Sequence, residues 1–205
     1  MSAHLHPGLN LGAAHGRAHE KAEVVAFGFW VFLMSDLIVF GILFATHVAM
    51  RNGMAGGPGP KELFDLASIA WQTGFLLASS LAYGFASLAL KGGSGRPVLA
   101  FWLVVAALLG AGFLGLELRD FAAMSEKGGV PMRSGWLSSY YALVGLHGGH
   151  IAVGLLWMTV MLVQVATLGL RDRVKTRLLL LGLYWHFLDL VWIGIFSVVF
   201  LAALA

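Results

Sequence analysis

The chain has 205 residues, of which 59% are hydrophobic and only 11% are charged, and its formal net charge is +3. Soluble globular domains have roughly 45–50% apolar and about 25% charged residues, so this composition indicates an integral membrane protein. The lack of cysteine excludes disulfides and thiolate metal sites. The few basic residues lie in short loops, and nothing in their pattern favours nucleic-acid binding.

Five apolar stretches are each long enough to cross a bilayer, for which about 20 residues suffice. They cover residues 24–50, 66–90, 97–121, 136–168 and 178–205, and the linkers between them are rich in Gly, Pro or charged residues. The sequence therefore predicts an all-α membrane protein with five transmembrane helices in a bundle. The third helix can continue through Lys127 as a longer, tilted helix.

The distribution of Lys and Arg predicts the orientation of this bundle. Eight of these residues lie on the N-terminal side and five on the other side, and the densest group runs from Arg171 to Arg177. The positive-inside rule then places the N-terminus in the cytoplasm and the C-terminus in the periplasm. Residues 1–23 contain four histidines and no apolar core, so they are predicted to form a disordered cytoplasmic tail before the transmembrane domain of residues 24–205.

Small residues recur at a four-residue spacing in two of the predicted helices, a pattern that lets neighbouring helix backbones approach closely. The pattern indicates helix packing and implies no chemistry. It comprises Gly74, Ala78, Ala82 and Ala86 in the second helix, and Gly145 and Gly149 in the fourth.

Two aspartates and three histidines are predicted to share one layer near the middle of the membrane. Two acids lie about 11–12 residues into their helices, or ~17 Å deep at ~1.5 Å of rise per residue, and two of the histidines reach a similar depth. Ionisable side chains at this depth are costly unless they are paired. The five residues are Asp36, His147, His150, His186 and Asp189.

The residue pattern alone leaves several roles open for this layer. Hydrogen bonds or ion pairs could fix the helix register, and a proton relay or a lipid headgroup site would use the same groups. Axial ligation of haem by His147, His150 or His186 is a further alternative. Its weakness is that His147 and His150 are too close on one helix to ligate one haem from opposite faces.

Glu117 and three tryptophans complete the set of candidate residues. Glu117 pairs with Arg119 at headgroup level if the third helix ends early, and becomes a buried acid if that helix continues. Trp30, Trp185 and Trp192 lie deep enough for each indole N–H to need an acceptor, such as the Asp189 carboxylate or a lipid headgroup. Core packing is the simpler interpretation of each tryptophan, and the whole set is the predicted buried polar cluster or lipid-binding site.

Four segments resemble subunit III of the haem-copper terminal oxidases. Residues 29–36 (FWVFLMSD) are similar to the first shared helix of that family, and the segment around Glu117 to its third-helix glutamate. The run from Gly145 to His150 is similar to its Gly-x-His-Gly-x-His helix, although Gly149 stands where the family often has Leu. Residues 184–192 (YWHFLDLVW) are similar to its Trp-His-Phe-x-Asp-x-Val-Trp signature, and the four segments occur in the family's order.

The branch within the family is indicated by three further features. Cytochrome c oxidase versions commonly have seven helices, whereas this chain has five predicted helices. The five-helix form, the histidine-containing tail and residues 52–58 resemble subunit III of the bacterial bo-type ubiquinol oxidase.

The resemblance implies a non-catalytic accessory subunit of a proton-pumping terminal quinol oxidase in the bacterial inner membrane. The haems, copper and oxygen-reducing centre would belong to subunit I, so no catalytic, cofactor-binding or metal-binding residue is expected in this chain. The resemblance also implies contact mainly with subunit I, further contact with subunits II and IV, and bound phospholipid between the helices. The subunit would support assembly and proton uptake. Subunit III of a cytochrome c oxidase and a stand-alone membrane proton transporter are the alternatives.

Overall fold

The computed structural model describes residues 15–93 and 95–204, and the side chains of residues 22–93 and 95–203. Five long helices account for most of these residues, and the described residues contain no β-strand. The helices are α1 (His15–Ala49), α2 (Leu66–Gly92), α3 (Arg96–Glu126), α4 (Gly135–Thr167) and α5 (Asp172–Ile195). Each is long and apolar enough to cross a membrane, which confirms the predicted fold of five transmembrane helices.

Short elements connect or extend these helices. A single helical turn (Pro60–Leu63) precedes α2, a 3-10 turn (Pro131–Arg133) precedes α4, and a π-helical segment (Phe196–Leu201) followed by Ala202–Leu204 continues α5. Local sequence explains two of the helix starts, because the Asp65 side chain accepts from the Ala67 N–H at 3.0 Å and the Ser134 hydroxyl accepts from the Leu137 N–H at 3.1 Å. Both are N-caps of the type that satisfies otherwise unpaired helix N–H groups.

The helix ends differ from the predicted ones at the starts of α1 and α5, and they decide between the two alternatives for the end of α3. α1 begins at His15, so residues 15–23 are helical, and residues 1–14 of the predicted tail lie outside the described residues. α3 continues to Glu126, as the longer alternative for the third helix predicted. α5 begins at Asp172, before the predicted start at residue 178, because the charged residues at its start form a solvent-facing first turn that hydropathy does not detect.

α5 is the central helix of the bundle. It packs against α1, α2 and α4, while α3 packs between α2 and α4. The most apolar part of the C-terminal span is 61% buried, against 11% for α1. α1 packs on α4 and α5 and makes no comparable contact with α2, so the helices surround α5 on three sides and leave a gap between α1 and α2.

The glycines that allow close packing are not those predicted in α4. A Cβ atom at Gly145 or Gly149 would meet nothing within 4 Å, so the predicted close packing at these two positions is wrong. The packed glycine of α4 is Gly154, where a Cβ atom would lie 2.8 Å from Cζ3 of Trp185. Gly110 of α3 approaches the same indole, with 2.8 Å between its added Cβ and Trp185 Cζ2.

Candidate intramembrane polar site

Asp36 of α1 and His150 of α4 form one of two acid–histidine pairs in the middle of the bundle. His150 Nε2 lies 3.2 Å from Asp36 Oδ2, and Nδ1 lies 2.7 Å from the Leu146 carbonyl. A carbonyl only accepts, so Nδ1 carries a hydrogen. The 3.2 Å between Nε2 and Oδ2 is an ion-pair distance, although Oδ2 makes no hydrogen bond of suitable geometry with the described residues. The pair therefore brings an imidazole and a carboxyl group together where α1 packs on α4.

His186 and Asp189 of α5 form the second pair. His186 Nδ1 lies 3.4 Å from Asp189 Oδ2 and 2.8 Å from the hydroxyl oxygen of Ser80 on α2. Asp189 is buried, with 9% of its side chain exposed, whereas the His186 side chain is 49% exposed. The three groups join α5 to α2.

His147 links α4 to α5 without an acidic partner among the described residues. Its side chain is fully buried, and Nε2 donates to the Leu188 carbonyl at 3.2 Å. The ring lies beside Phe113 and Trp192, at centroid distances of 5.6 and 5.3 Å. His147 thus acts as an interhelical hydrogen-bond donor in an aromatic environment.

Trp185 and Trp192 are buried, and each indole N–H has an acceptor on α2. Trp185 Nε1 donates to the Ser79 hydroxyl at 3.1 Å, and Trp192 Nε1 donates to the Thr73 hydroxyl at 3.1 Å. The expectation of a carboxylate or lipid acceptor is wrong for both. Core packing is the correct interpretation, because neither side chain is exposed.

Trp30 lies apart from these groups. Its side chain is 48% exposed on the outer surface of α1, so the structure does not place it in a buried cluster. α1 packs inward through residues such as Leu33 and Phe40, which are buried. A lipid-facing role for Trp30 stays a prediction.

Glu117 lies in a cavity at the end of the bundle where α3 ends and α2 and α4 begin. Because α3 continues to Glu126, Glu117 is 2% exposed, and neither carboxyl oxygen makes a hydrogen bond to the described residues. Arg119 pairs instead with Asp120, at 3.2 Å. Of the two alternatives for Glu117, the structure shows the buried one, in a cavity of about 370 Å³.

Gly148 of α4 provides the space for the Glu117 carboxyl. A Cβ atom at this position would lie 2.6 Å from Oε2 and 2.8 Å from Oε1. Gly148 stands within the Gly-x-His-Gly-x-His pattern, so this element of the pattern accommodates a side chain from α3.

Sequence reasoning missed the polar partners of these residues. Asp120 Oδ2 accepts from the Ser68 hydroxyl at 2.5 Å and from Gln72 Nε2 at 2.6 Å, on the rim of the Glu117 cavity. Asp120 follows Glu117 by three residues and so shares its helix face, which is a signal that the spacing contained. Buried His47, with Nδ1 3.1 Å from the Ser139 hydroxyl, was also missed.

Comparison with known proteins identifies the family. A model of the family described as cytochrome c oxidase subunit III matches residues 10–203. The chain belongs to the cytochrome c oxidase subunit III family. The resemblance found in the sequence motifs is thereby confirmed.

Bacterial members of the subunit III family match over nearly the whole chain. The cytochrome bo(3) ubiquinol oxidase subunit 3 of Pseudomonas aeruginosa is 43% identical over 202 residues, covering 98% of this chain and 96% of the relative. The quinol oxidase subunit 3 of Bacillus subtilis is 36% identical over 199 residues (94% and 97%). The cytochrome c oxidase subunit 3 of the same organism is 42% identical over 176 residues (85% and 84%).

Family membership and the five spans together confirm the prediction of a multi-pass protein of the bacterial inner membrane. Among the described residues, no group of three or more His, Cys, Asp and Glu side chains has the arrangement of a metal site. Apart from Glu117, the polar groups described above make contacts that join two helices or two turns of one helix. Such contacts can fix the register of the helices.

Proposed function

We propose that this chain is the accessory subunit III of a bacterial proton-pumping terminal quinol oxidase. The observation that carries this proposal is the 43% identity to a cytochrome bo(3) ubiquinol oxidase subunit 3 over 98% of this chain. In the complex, subunit I would carry the haems and copper, oxidise ubiquinol and reduce oxygen to water. Subunit III would contact subunit I, and also subunits II and IV, and would itself carry no redox centre.

The geometry favours a supporting role within such a complex. Several of its ionisable groups make contacts between helices, such as Asp36 with His150 and His147 with the Leu188 carbonyl. Each interhelical contact of this kind stabilises a bundle by about 0.6–2 kcal/mol. The Asp36–His150 pair and the Glu117 cavity are the features through which the subunit would influence proton uptake by its partner.

Bound phospholipid is the second part of the proposal, and a groove at the predicted cytoplasmic side supports it. This basic groove has a volume of about 700 Å³ and is lined by Arg171, Arg173 and Arg177 of the α4–α5 connection and α5, together with apolar Val25 and Leu180. Basic side chains above an apolar surface at the membrane interface suit the phosphate and acyl chains of an anionic lipid.

A direct test is purification of the tagged chain in mild detergent from membranes of its own cell. We expect a large haem-bearing subunit to co-purify, and the preparation to oxidise ubiquinol with consumption of oxygen. The correctly folded chain alone should show no Soret absorbance. Purification without any haem-bearing partner would refute the proposal, and a Soret band from the isolated chain would refute the assignment of the redox centres to subunit I.

Subunit III of a cytochrome c oxidase is the second candidate. The 42% identity to such a subunit from Bacillus subtilis favours it. The same preparation distinguishes the two, because oxidation of reduced cytochrome c in place of ubiquinol would select the second candidate. A stand-alone proton transporter, the remaining alternative, requires proton flux by the purified chain in liposomes without other subunits.

A further inference from the structure

The carboxyl group of Glu117 is buried without a hydrogen-bond partner among the described residues. The residue is 2% exposed, and both carboxyl oxygens lack a donor or acceptor. Gly148 of α4 lies against the carboxyl and has no side chain that could bond to it. A carboxyl group needs such partners whether it is protonated or ionised, because the first form donates and accepts and the second accepts. Burial without them is costly in either state, so the partners must come from the cavity that Glu117 lines.

This cavity has the size and the polar lining that water requires. Its volume of about 370 Å³ has room for roughly ten water molecules at ~30 Å³ each. Buried water needs several polar partners, and the lining supplies the Gln72 amide, the Asp120 carboxylate and the Tyr140 hydroxyl beside Glu117. A lipid acyl chain in the same space would offer the Glu117 carboxyl neither a donor nor an acceptor.

The exposed part of the lining is charged. Four of the residues that line the cavity are exposed, and all except Ala123 are ionisable: Asp65, Arg119 and Lys127. Lys127 Nζ donates to the Glu62 carbonyl at 3.3 Å, which joins the end of α3 to the helical turn before α2. Exposed charges of this kind require water or headgroups around them. The cavity is therefore bordered by the aqueous interface at the end of the bundle, on the predicted periplasmic side.

Glu117 lies well inside this end of the bundle. It precedes Glu126, the last residue of α3, by nine residues, a distance of ~14 Å along the helix at ~1.5 Å per residue. Ionisable residues within membrane spans almost always face the protein interior or a water-filled cavity, and they often mark proton paths. The position, the missing partners and the charged outer lining together indicate a hydrated cavity with an acid at its inner end.

We propose that the Glu117 cavity is a water-filled inlet from the predicted periplasmic side, and that Glu117 is a proton-binding site that exchanges with the aqueous phase through it. The proton moves from the carboxyl to a water in the cavity and on to bulk water, and the reverse transfer returns a proton to the carboxylate. This inference goes beyond the proposed function and does not depend on which electron donor the oxidase uses.

The other ionisable groups that line the cavity come from the start of α2, from α3 and its end, and from α4. They are Asp65, Arg119, Asp120, Lys127 and Tyr140. The extension of α5 contributes only the apolar Phe200. Arg119 and Asp120 lie 3.2 Å apart, and Asp120 also accepts from the Ser68 hydroxyl, so these groups bind one another and leave Glu117 unbonded. Glu117 is therefore the group of this set that relies on the water.

The chain contains no cysteine, so introduced cysteines give a direct test for water in the cavity. Val144→Cys of α4 and Ile69→Cys of α2 replace buried residues that line it, whereas Leu143→Cys and Val165→Cys replace equally buried residues that do not. Each variant is purified in mild detergent with the subunits it retains, checked for folding by size-exclusion chromatography, and treated with a charged, water-soluble thiosulfonate reagent.

We expect the two cavity cysteines to react about tenfold faster or more, because a thiol in the core is reached only when the structure opens locally. The two cavity positions lie on different helices and give independent readings. Equal rates at the cavity and control positions would overturn the water-filled inlet, and a phospholipid bound in the cavity would then be the explanation.

Infrared difference spectroscopy tests the proton separately. As the bulk pH is lowered, we expect a carboxyl C=O band to appear, to shift in D2O, and to be absent from Glu117→Gln. Asp189→Asn removes a buried carboxyl that does not line the cavity and should keep the band. A wild-type spectrum that responds to pH and D2O in the same way as that of Glu117→Gln would overturn the proton exchange.

Discussion

The indole of Trp185 is held between two glycines from different helices, and this arrangement predicts a measurable loss of stability for a single added methyl group. In Gly154→Ala the new Cβ would lie 2.8 Å from Cζ3 of Trp185. Ordinary van der Waals contact begins at about 3.4 Å, so the ring or the helix has to move by about 0.6 Å. The ring is fully buried, and Gly110 blocks its other edge at a similar distance.

The expected destabilisation follows from three contributions. Overpacking of a well-packed core costs about 1–3 kcal/mol. Displacement of the indole also weakens the 3.1 Å hydrogen bond to Ser79, which contributes about 1 kcal/mol. In the opposite direction, replacing Gly by Ala stabilises a helix by up to about 1 kcal/mol because Ala has the higher helix propensity. Gly154→Ala should therefore be destabilised by about 1–3 kcal/mol.

Each helix offers a control that has the same chemistry without the clash. A Cβ at Gly149 of α4 or at Gly115 of α3 would meet nothing within 4 Å. Gly149→Ala and Gly115→Ala should be neutral or slightly stabilising, and Gly110→Ala should behave like Gly154→Ala. The assay is thermal unfolding of the purified protein in mild detergent, followed by circular dichroism and by size-exclusion chromatography.

A second substitution identifies the indole as the cause. Trp185→Phe removes the distal ring atoms that would clash, so adding Gly154→Ala to this variant should produce little further loss. The difference between the effect of Gly154→Ala in the two backgrounds is the coupling energy, expected at about 1–3 kcal/mol. Equal stability of Gly154→Ala and Gly149→Ala would refute this account of the packing.

Three further substitutions probe hydrogen bonds and lipid contacts. Asp36→Leu should destabilise the bundle by about 1–3 kcal/mol because it leaves His150 Nε2 without a partner. Asp36→Asn can donate a hydrogen bond to that nitrogen and should therefore lose less stability. Thermal unfolding of the two variants side by side checks this difference. Trp192→Phe should lower the free energy of unfolding by about 1 kcal/mol because it removes the hydrogen bond to Thr73. In a Thr73→Val background that bond is already absent, so the same substitution should have a smaller effect, which a double-mutant cycle measures. Replacing Arg171, Arg173 and Arg177 of the basic groove by glutamine should reduce the amount of anionic phospholipid that co-purifies with the protein. Mass spectrometry measures this amount, and an Arg133→Gln variant serves as the control.

The five spans and the depth of the polar layer follow from properties that are local in sequence. Apolar length predicts a spanning helix, and the rise per residue then predicts depth, so the sequence places Asp36, His150 and Asp189 near the middle of the membrane. The His186–Asp189 contact is also local, since the two residues are three apart on one helix. The continuation of α3 that buries Glu117 was one of two alternatives, because hydropathy falls before the helix ends.

The partners of these residues depend on how each helix is rotated, which spacing does not determine. Asp36 meets His150 only because α1 packs on α4, and no sequence feature of either helix specifies that neighbour. Small-residue spacing located a face of α4 at Gly145 and Gly149, but the face that receives Trp185 carries Gly154. The hydroxyl acceptors of the tryptophans were missed because serine and threonine are too common in helices to point to a particular bond.

The sequence motif around Trp185 and His186 contains several interacting residues in a row because α5 has neighbouring helices on three sides. Successive residues of a helix point about 100° apart, so a short segment of a central helix faces every neighbour in turn. Trp185 enters the slot between α3 and α4, His186 bonds to α2, Phe187 packs on Phe40 of α1, and the Leu188 carbonyl accepts from α4. Four consecutive residues thus fix the positions of all four neighbouring helices. A substitution in this segment is therefore expected to disturb the assembly of the bundle.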